Sequence, residues 1–114
     1  MSAPESKPDV TRWRNMKAKP KKKYVIVRAT NAGAFFGALV SRKGNEVVLN
    51  ECRRLWQWFG AASLSQAAME GFSRPTECKF PPATSGHVIL GVIEVIPVTN
   101  KAVTCIQRIP SWRA

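Results

Sequence analysis

Few groups in this chain could do acid–base, nucleophilic or metal chemistry. The single histidine, His87, opens a strand-like run beside Gly86. That position suits a turn residue better than a general base, which must be held against a reacting proton. The three cysteines, Cys52, Cys78 and Cys105, are odd in number, widely spaced and form no Cys-x-x-Cys pair. They read as reduced thiols, two or three of them buried as small hydrophobes. A Cys3His zinc site using His87 would need a fold that gathers four scattered ligands, whereas structural zinc ligands usually come in close pairs. The acids after residue 23 are Glu46, Glu51, Glu70, Glu77 and Glu94, and no spacing among them demands a carboxylate pair. Arg42-Lys-Gly-Asn45 lacks the phosphate-loop spacing and joins two strands. The expectation is a protein that is not an enzyme, with no catalytic residue, no metal and no cofactor.

Cations and aromatics are a different matter. Eighteen Lys and Arg stand against seven Asp and Glu, a net charge of +11 in 114 residues. Such a balance favours polyanions: nucleic acid, an acidic protein face or an anionic membrane surface. The charge is concentrated. Residues 1–23 carry eight basic and two acidic residues, and residues 24–114 carry ten and five. The early stretch contains Pro4, Pro8 and Pro20 and few apolar residues. It cannot bury enough surface to offset the entropy of ordering, so residues 1–22 are expected to form a disordered basic arm. Arg12, Trp13, Arg14, Lys17, Lys19, Lys21, Lys22 and Lys23 are its candidate contacts to nucleic acid or to another acidic partner. Trp13, between two arginines, reads equally as a contact anchor or as a residue folded back on the body.

The second basic and aromatic cluster is Arg53-Arg-Leu-Trp-Gln-Trp58. On a strand, alternation puts Arg54, Trp56 and Trp58 on one face and Arg53, Leu55 and Gln57 on the other. Aromatic and arginine side chains sharing a face can stack bases and hold phosphates. The plainer reading is that the tryptophans pack under a following helix while the arginines snorkel to solvent. A protein interface is the third reading.

These residues need a scaffold, expected over residues 23–114 as one domain. Tyr24–Thr30 is apolar on both faces and β-branched, a central strand. Asn31–Gly33 is a turn and Phe35–Val40 a second strand. Ser41–Asn45 reads as a hairpin loop with Gly44 and Asn45 at positive φ, and Glu46–Asn50 returns as the third strand. Arg53–Trp58 is a fourth strand or the third continued after a bend. Ser63-Leu-Ser-Gln66 fits a helix capping box, with Leu64, Ala67, Ala68 and Phe72 as the buried stripe and Gly71 as a left-handed cap. Residues 74–86 read as loop around a short extended piece at Cys78–Phe80. Val88–Val98 is the longest strand; with Glu94 and Pro97 inside it, it is too short and too interrupted to span a bilayer. Mid-strand Glu94 implies a wet face or a partner such as Arg28. Asn100 can cap a last short helix, with Ala102, Val103, Ile106 and Ile109 on one face and Pro110 ending it. The first 23 residues lack the apolar segment of a secretory signal. The fold class expected is α+β: a mainly antiparallel sheet or small open barrel of four to six strands with two short helices.

Several runs bear a resemblance. Lys23–Arg28, Gly37–Leu49, Cys78–Pro81, Ile93–Pro97, Ile109–Trp112 and above all Arg53-Arg-Leu-Trp-Gln-Trp-Phe-Gly-Ala-Ala-Ser-Leu-Ser-Gln66 resemble a family of small uncharacterised proteins of tailed bacteriophages. Members of that family often begin at the equivalent of Lys23, so the arm stands as an addition in this chain. The resemblance implies phage origin and a place in the host cytoplasm or the virion; it carries no activity and no catalytic residues. The function expected is a non-enzymatic phage binding protein whose arm engages nucleic acid or an acidic protein surface. The alternatives are a virion structural component whose arm threads onto neighbouring subunits, and a host-takeover or anti-defence protein that blocks a host factor or sequesters a small anionic ligand. No membrane partner is expected; self-association is compatible with all three.

Overall fold

The computed structural model describes residues 22–113. The arm residues Arg12, Trp13, Arg14, Lys17, Lys19 and Lys21 lie outside the described residues, as does the expected disorder of the arm. Five antiparallel strands form one open sheet in the order β4-β3-β2-β1-β5. They are β1 (Tyr24–Ala29), β2 (Gly33–Lys43), β3 (Glu46–Arg54), β4 (His87–Ile89) and β5 (Val92–Pro97). Two helices, α1 (Leu64–Glu70) and α2 (Asn100–Arg108), complete the expected α+β fold.

β1 is central and buried on both sides, as its doubly apolar sequence requires. Val25, Val27 and Ala29 join Phe35, Val47, Leu49, Cys52 and Ile89 in one apolar cluster. Ile26, on the other face, joins Phe36, Leu55, the helix residues Ala67, Ala68 and Ile106, and Phe72, Phe80 and Ile109. The helices therefore cover one face, and the other face must be closed by the sheet itself.

The stretch expected as one strand over Val88–Val98 is two. β4 and β5 stand on opposite edges of the sheet although only Leu90 and Gly91 separate them. Five flat strands would put those edges about 19 Å apart, and the chain from Ile89 to Val92 reaches at most about 11 Å. The sheet must roll until its edges approach. Gly91, at φ 71, makes the reversal that moves the chain from one edge to the other. The Thr30 amide donates to its carbonyl at 2.9 Å, and the Val92 amide donates to Asn45 at 3.0 Å, tying the approach together.

Other bounds shift as well. β2 and β3 run on to Lys43 and back from Glu46, so the hairpin turn is Gly44-Asn45 alone. Only Gly44 of that pair has positive φ. β3 continues to Arg54 past a change of register opposite Phe36–Ala38. Glu51 sits at that irregularity with φ 51, the only non-glycine at positive φ among the described residues. A bulge of this kind re-aims side chains, and beyond it Arg53 and Arg54 pair with Phe36 and Phe35. Gln57 then bridges to Lys79, and Phe80 to Ser111, which fixes the expected extended piece at Cys78–Phe80.

α1 starts where the capping box places it. Ser63 Oγ accepts from the Gln66 amide at 3.1 Å, and Gln66 Oε1 accepts from Ala62 N–H, one residue earlier than the box prescribes. Leu64 is half-buried rather than buried; Ala67, Ala68 and Phe72 form the stripe. Gly71 ends the helix at φ 79 and ψ −158, not in the left-handed helical region expected. A side chain there would also meet Cys105 Cβ at 2.7 Å. Thr99, not Asn100, caps α2: its hydroxyl accepts from Ala102 N–H at 3.2 Å and donates to Met69 O at 2.7 Å, joining the two helices. No helix among the described residues is long and apolar enough to cross a membrane.

Candidate functional site

The cysteines, His87 and the acids form no group of three that could hold a metal ion among the described residues. Cys52 is buried in the rolled side of the sheet, and burial raises its thiol to about 11. Cys78 and Cys105 turn their sulfurs to the backbone at Phe59 and Phe72. Glu94 accepts from Arg28 Nε at 3.0 Å across the β1–β5 pair, the expected neutralisation of a mid-strand charge. His87 holds its Nδ1 2.8 Å from Thr84 Oγ1 and its ring 5.2 Å from Phe35.

Arg53 and Arg54 point to opposite faces because they are neighbours on a strand. Arg53, only 6% exposed, goes under the helices. Its guanidinium donates to the carbonyls of Ile106 at 3.0 Å, Ile109 at 2.6 Å, Phe80 at 3.2 Å and Pro110 at 3.2 Å. It thereby caps the end of α2, where a cation is also favoured by the helix dipole. Burial lowers its pKa. Beside it lies a cleft of about 340 Å³ lined by Phe36, Glu51 and Gln107 among others. Glu51 accepts from Tyr24 Oη at 2.9 Å and pairs with Lys22. The Lys22 hydrogen bond holds the Glu51 carboxyl below its usual range, while burial and then Glu51 raise the Tyr24 phenol. Every charged group of this cleft has a partner within the fold, so its chemistry is used in holding the fold together.

Arg54 is placed otherwise. It lies opposite Phe35 with its guanidinium 4.5 Å from the ring centroid, and Nη1 donates to Ala32 O at 2.6 Å. It stands at the mouth of the rolled sheet between two hollows. One, of about 450 Å³, is bounded by Thr30–Ala32, Phe35 and residues 87–91. The other, of about 310 Å³, lies between residues 31–34 and Leu55–Trp56. No carboxylate lines either hollow. Trp56 is 62% exposed, with Leu90 and Val88 also open to solvent.

The structure thus brings Arg54 and Trp56 to one groove and sends Trp58 elsewhere. Trp58 is half-buried against the helix-side core, in a cleft with Arg28, Leu64 and Glu94. The chain turns out of the β3 line after Arg54, so strict alternation fails by residue 58. Core packing describes Trp58 and fails for Trp56. Lys22 and Lys23 are exposed, and the Lys23 carbonyl accepts from Leu39 N–H at 2.8 Å, which sets Lys23 against β2. Sequence reading missed the part His87 and residues 30–32 play in the groove. The Gly-rich turns around them were the available signal.

No curated protein and no solved structure matches the chain. A family model does, over residues 22–106, from the foot of the arm through most of α2. The chain belongs to the family described as a domain of unknown function, DUF6948.

Proposed function

We propose that this protein is a non-enzymatic nucleic-acid-binding protein, with the basic arm supplying attraction and the Arg54–Trp56 groove supplying contact. The carrying observation is the groove itself: a half-buried arginine held by Phe35 and the Ala32 carbonyl, beside an exposed tryptophan, with no lining carboxylate. The charge of residues 1–23, eight basic against two acidic, supports the role of the arm. Phage origin, with action in the host cytoplasm or the virion, belongs to the same proposal and rests on the sequence resemblance. The rival reading of a virion component draws on apolar residues exposed on both edge strands, Val88 on β4 and Ile93 on β5.

Titration of the full chain with a DNA duplex at several salt concentrations tests the proposal. Log affinity should fall with log salt at about 0.9 per phosphate contacted. A variant with Arg12, Arg14, Lys17, Lys19 and Lys21 replaced by Gln should show a clearly shallower slope. No binding to DNA or RNA at low salt would turn the arm into a contact for protein.

A further inference from the structure

We infer that the groove takes an unpaired nucleotide of a single strand, with its base against the Trp56 indole and its phosphate on the Arg54 guanidinium. This rests on the nucleic-acid reading above and gives it a ligand class. Arg54 is already ordered by Phe35 and by the Ala32 carbonyl. An arginine has five N–H donors, and only one is engaged in that bond. Little side-chain entropy remains to be lost when an oxyanion docks, which is the advantage of a preorganised fork.

Trp56 decides between strand types. An indole left 62% exposed adds little to the core, but offers a broad apolar face that any base can cover. In a duplex the base faces are stacked inside, so only an unpaired base can lie on it. Leu90 gives the far hollow an exposed apolar wall for a neighbouring sugar or base, and Asn31, a residue of both hollows, carries an amide of the kind that reads a base edge. Charge agrees with this assignment. The acids Glu51, Glu94 and Glu77 are drawn into pairs with Lys22, Arg28 and Arg74, and none of the three lines either hollow.

The test uses the full chain and a labelled oligothymidylate of about 12 nucleotides, a length within the usual range of single-strand sites, against a duplex of equal length. Fluorescence anisotropy should show tighter binding of the single strand. Trp56→Ala should weaken single-strand binding by roughly 5- to 100-fold and leave duplex binding unchanged, while Trp56→Phe retains most of the preference. Arg54→Ala should weaken both. A thermal melt of each variant separates lost contact from lost fold. Equal affinity for strand and duplex, untouched by Trp56→Ala, overturns the inference while the nucleic-acid reading stands. Free thymidine monophosphate binding as tightly as the oligonucleotide overturns it too, in favour of a small-ligand site. Binding of none of the three removes both readings.

Discussion

Arg53 and Arg54 are adjacent and chemically identical, and the fold uses them in opposite ways. Arg53 lies beneath the helices with four backbone carbonyls around it and no carboxylate partner there. Arg54 lies on an aromatic ring at the mouth of the rolled sheet, held by one carbonyl. A buried guanidinium is tolerated only where its donors are satisfied, and the carbonyls at the end of α2 and at Phe80 satisfy them; those of Ile106 and Phe80 accept from the Ile109 and Trp112 amides as well. Arg54, half-buried, carries no such duty, and most of its N–H donors point away from partners within the fold. Residue type sets what a side chain can do; the face of the strand sets which of its uses the protein obtains.

The largest expected effect is at the buried member. Arg53→Ala should cost roughly 3–5 kcal/mol, since it empties a packed site and takes the donor from the Ile109 and Pro110 carbonyls. Arg53→Lys should recover little, because a single ammonium cannot reach all four acceptors. Arg54→Ala should cost less, about 1–2 kcal/mol, the worth of a partly exposed cation–π contact and one hydrogen bond. Denaturant melts giving equal losses for the two alanine variants would break the comparison.

A smaller effect sharpens the picture of the helix that covers Arg53's side. Ser63→Ala removes the capping oxygen and should cost about 1 kcal/mol. Leu64→Ala should cost only about 1–2 kcal/mol, because the side chain is half-buried and a fully buried leucine would cost more. A loss above 3 kcal/mol in a thermal melt would mean that Leu64 is buried in solution.

The pH dependence separates the rolled side from the arm root. Cys52, raised from 9.0 to about 11 by burial, contributes stability that is complete below pH 9 and lost as pH rises toward 11. Alkylation at pH 8 should therefore leave Cys52 unmodified in the folded chain and modify it in denaturant, as peptide mass mapping would show. Glu51, lowered by Lys22, works in the other direction: its contribution is present above its ordinary value of 4.5 and lost as pH falls below it. The pair is exposed and screened by salt, so Glu51→Gln should shift the acid limb of the stability curve only slightly.

Much of the scaffold is written locally. The doubly apolar Tyr24–Ala29 run and the Ser63 cap follow from residue type and period alone; for mid-strand Glu94 residue type left a wet face or an arginine partner, and the structure has both, a pair with Arg28 open to solvent. The division at Leu90-Gly91 does not, because an apolar run gives no sign that its two halves pair with different edges. The reversal of Glu51 is likewise a tertiary event at a bulge. In the candidate site, Arg54 with Trp56 was legible from alternation, and Trp58 was misplaced by extending that alternation past the strand's end. The buried role of Arg53 left one trace: its place between Cys52 and Leu55 on an apolar stretch, which pattern alone assigns to a snorkelling side chain.

The most direct measurement follows the two arginines and Trp56 together. ¹⁵N–¹H spectra of the full chain, titrated with oligothymidylate, report the Arg53 and Arg54 Nε–H groups and the Trp56 indole N–H in one experiment. Shifts should concentrate at Trp56, Arg54, Asn31 and Leu90 as well as the arm, with Arg53 Nε–H and the Gln107 amide unmoved. Shifts confined to residues 1–23, or centred on Arg53 and Gln107, would contradict the assignment of the groove.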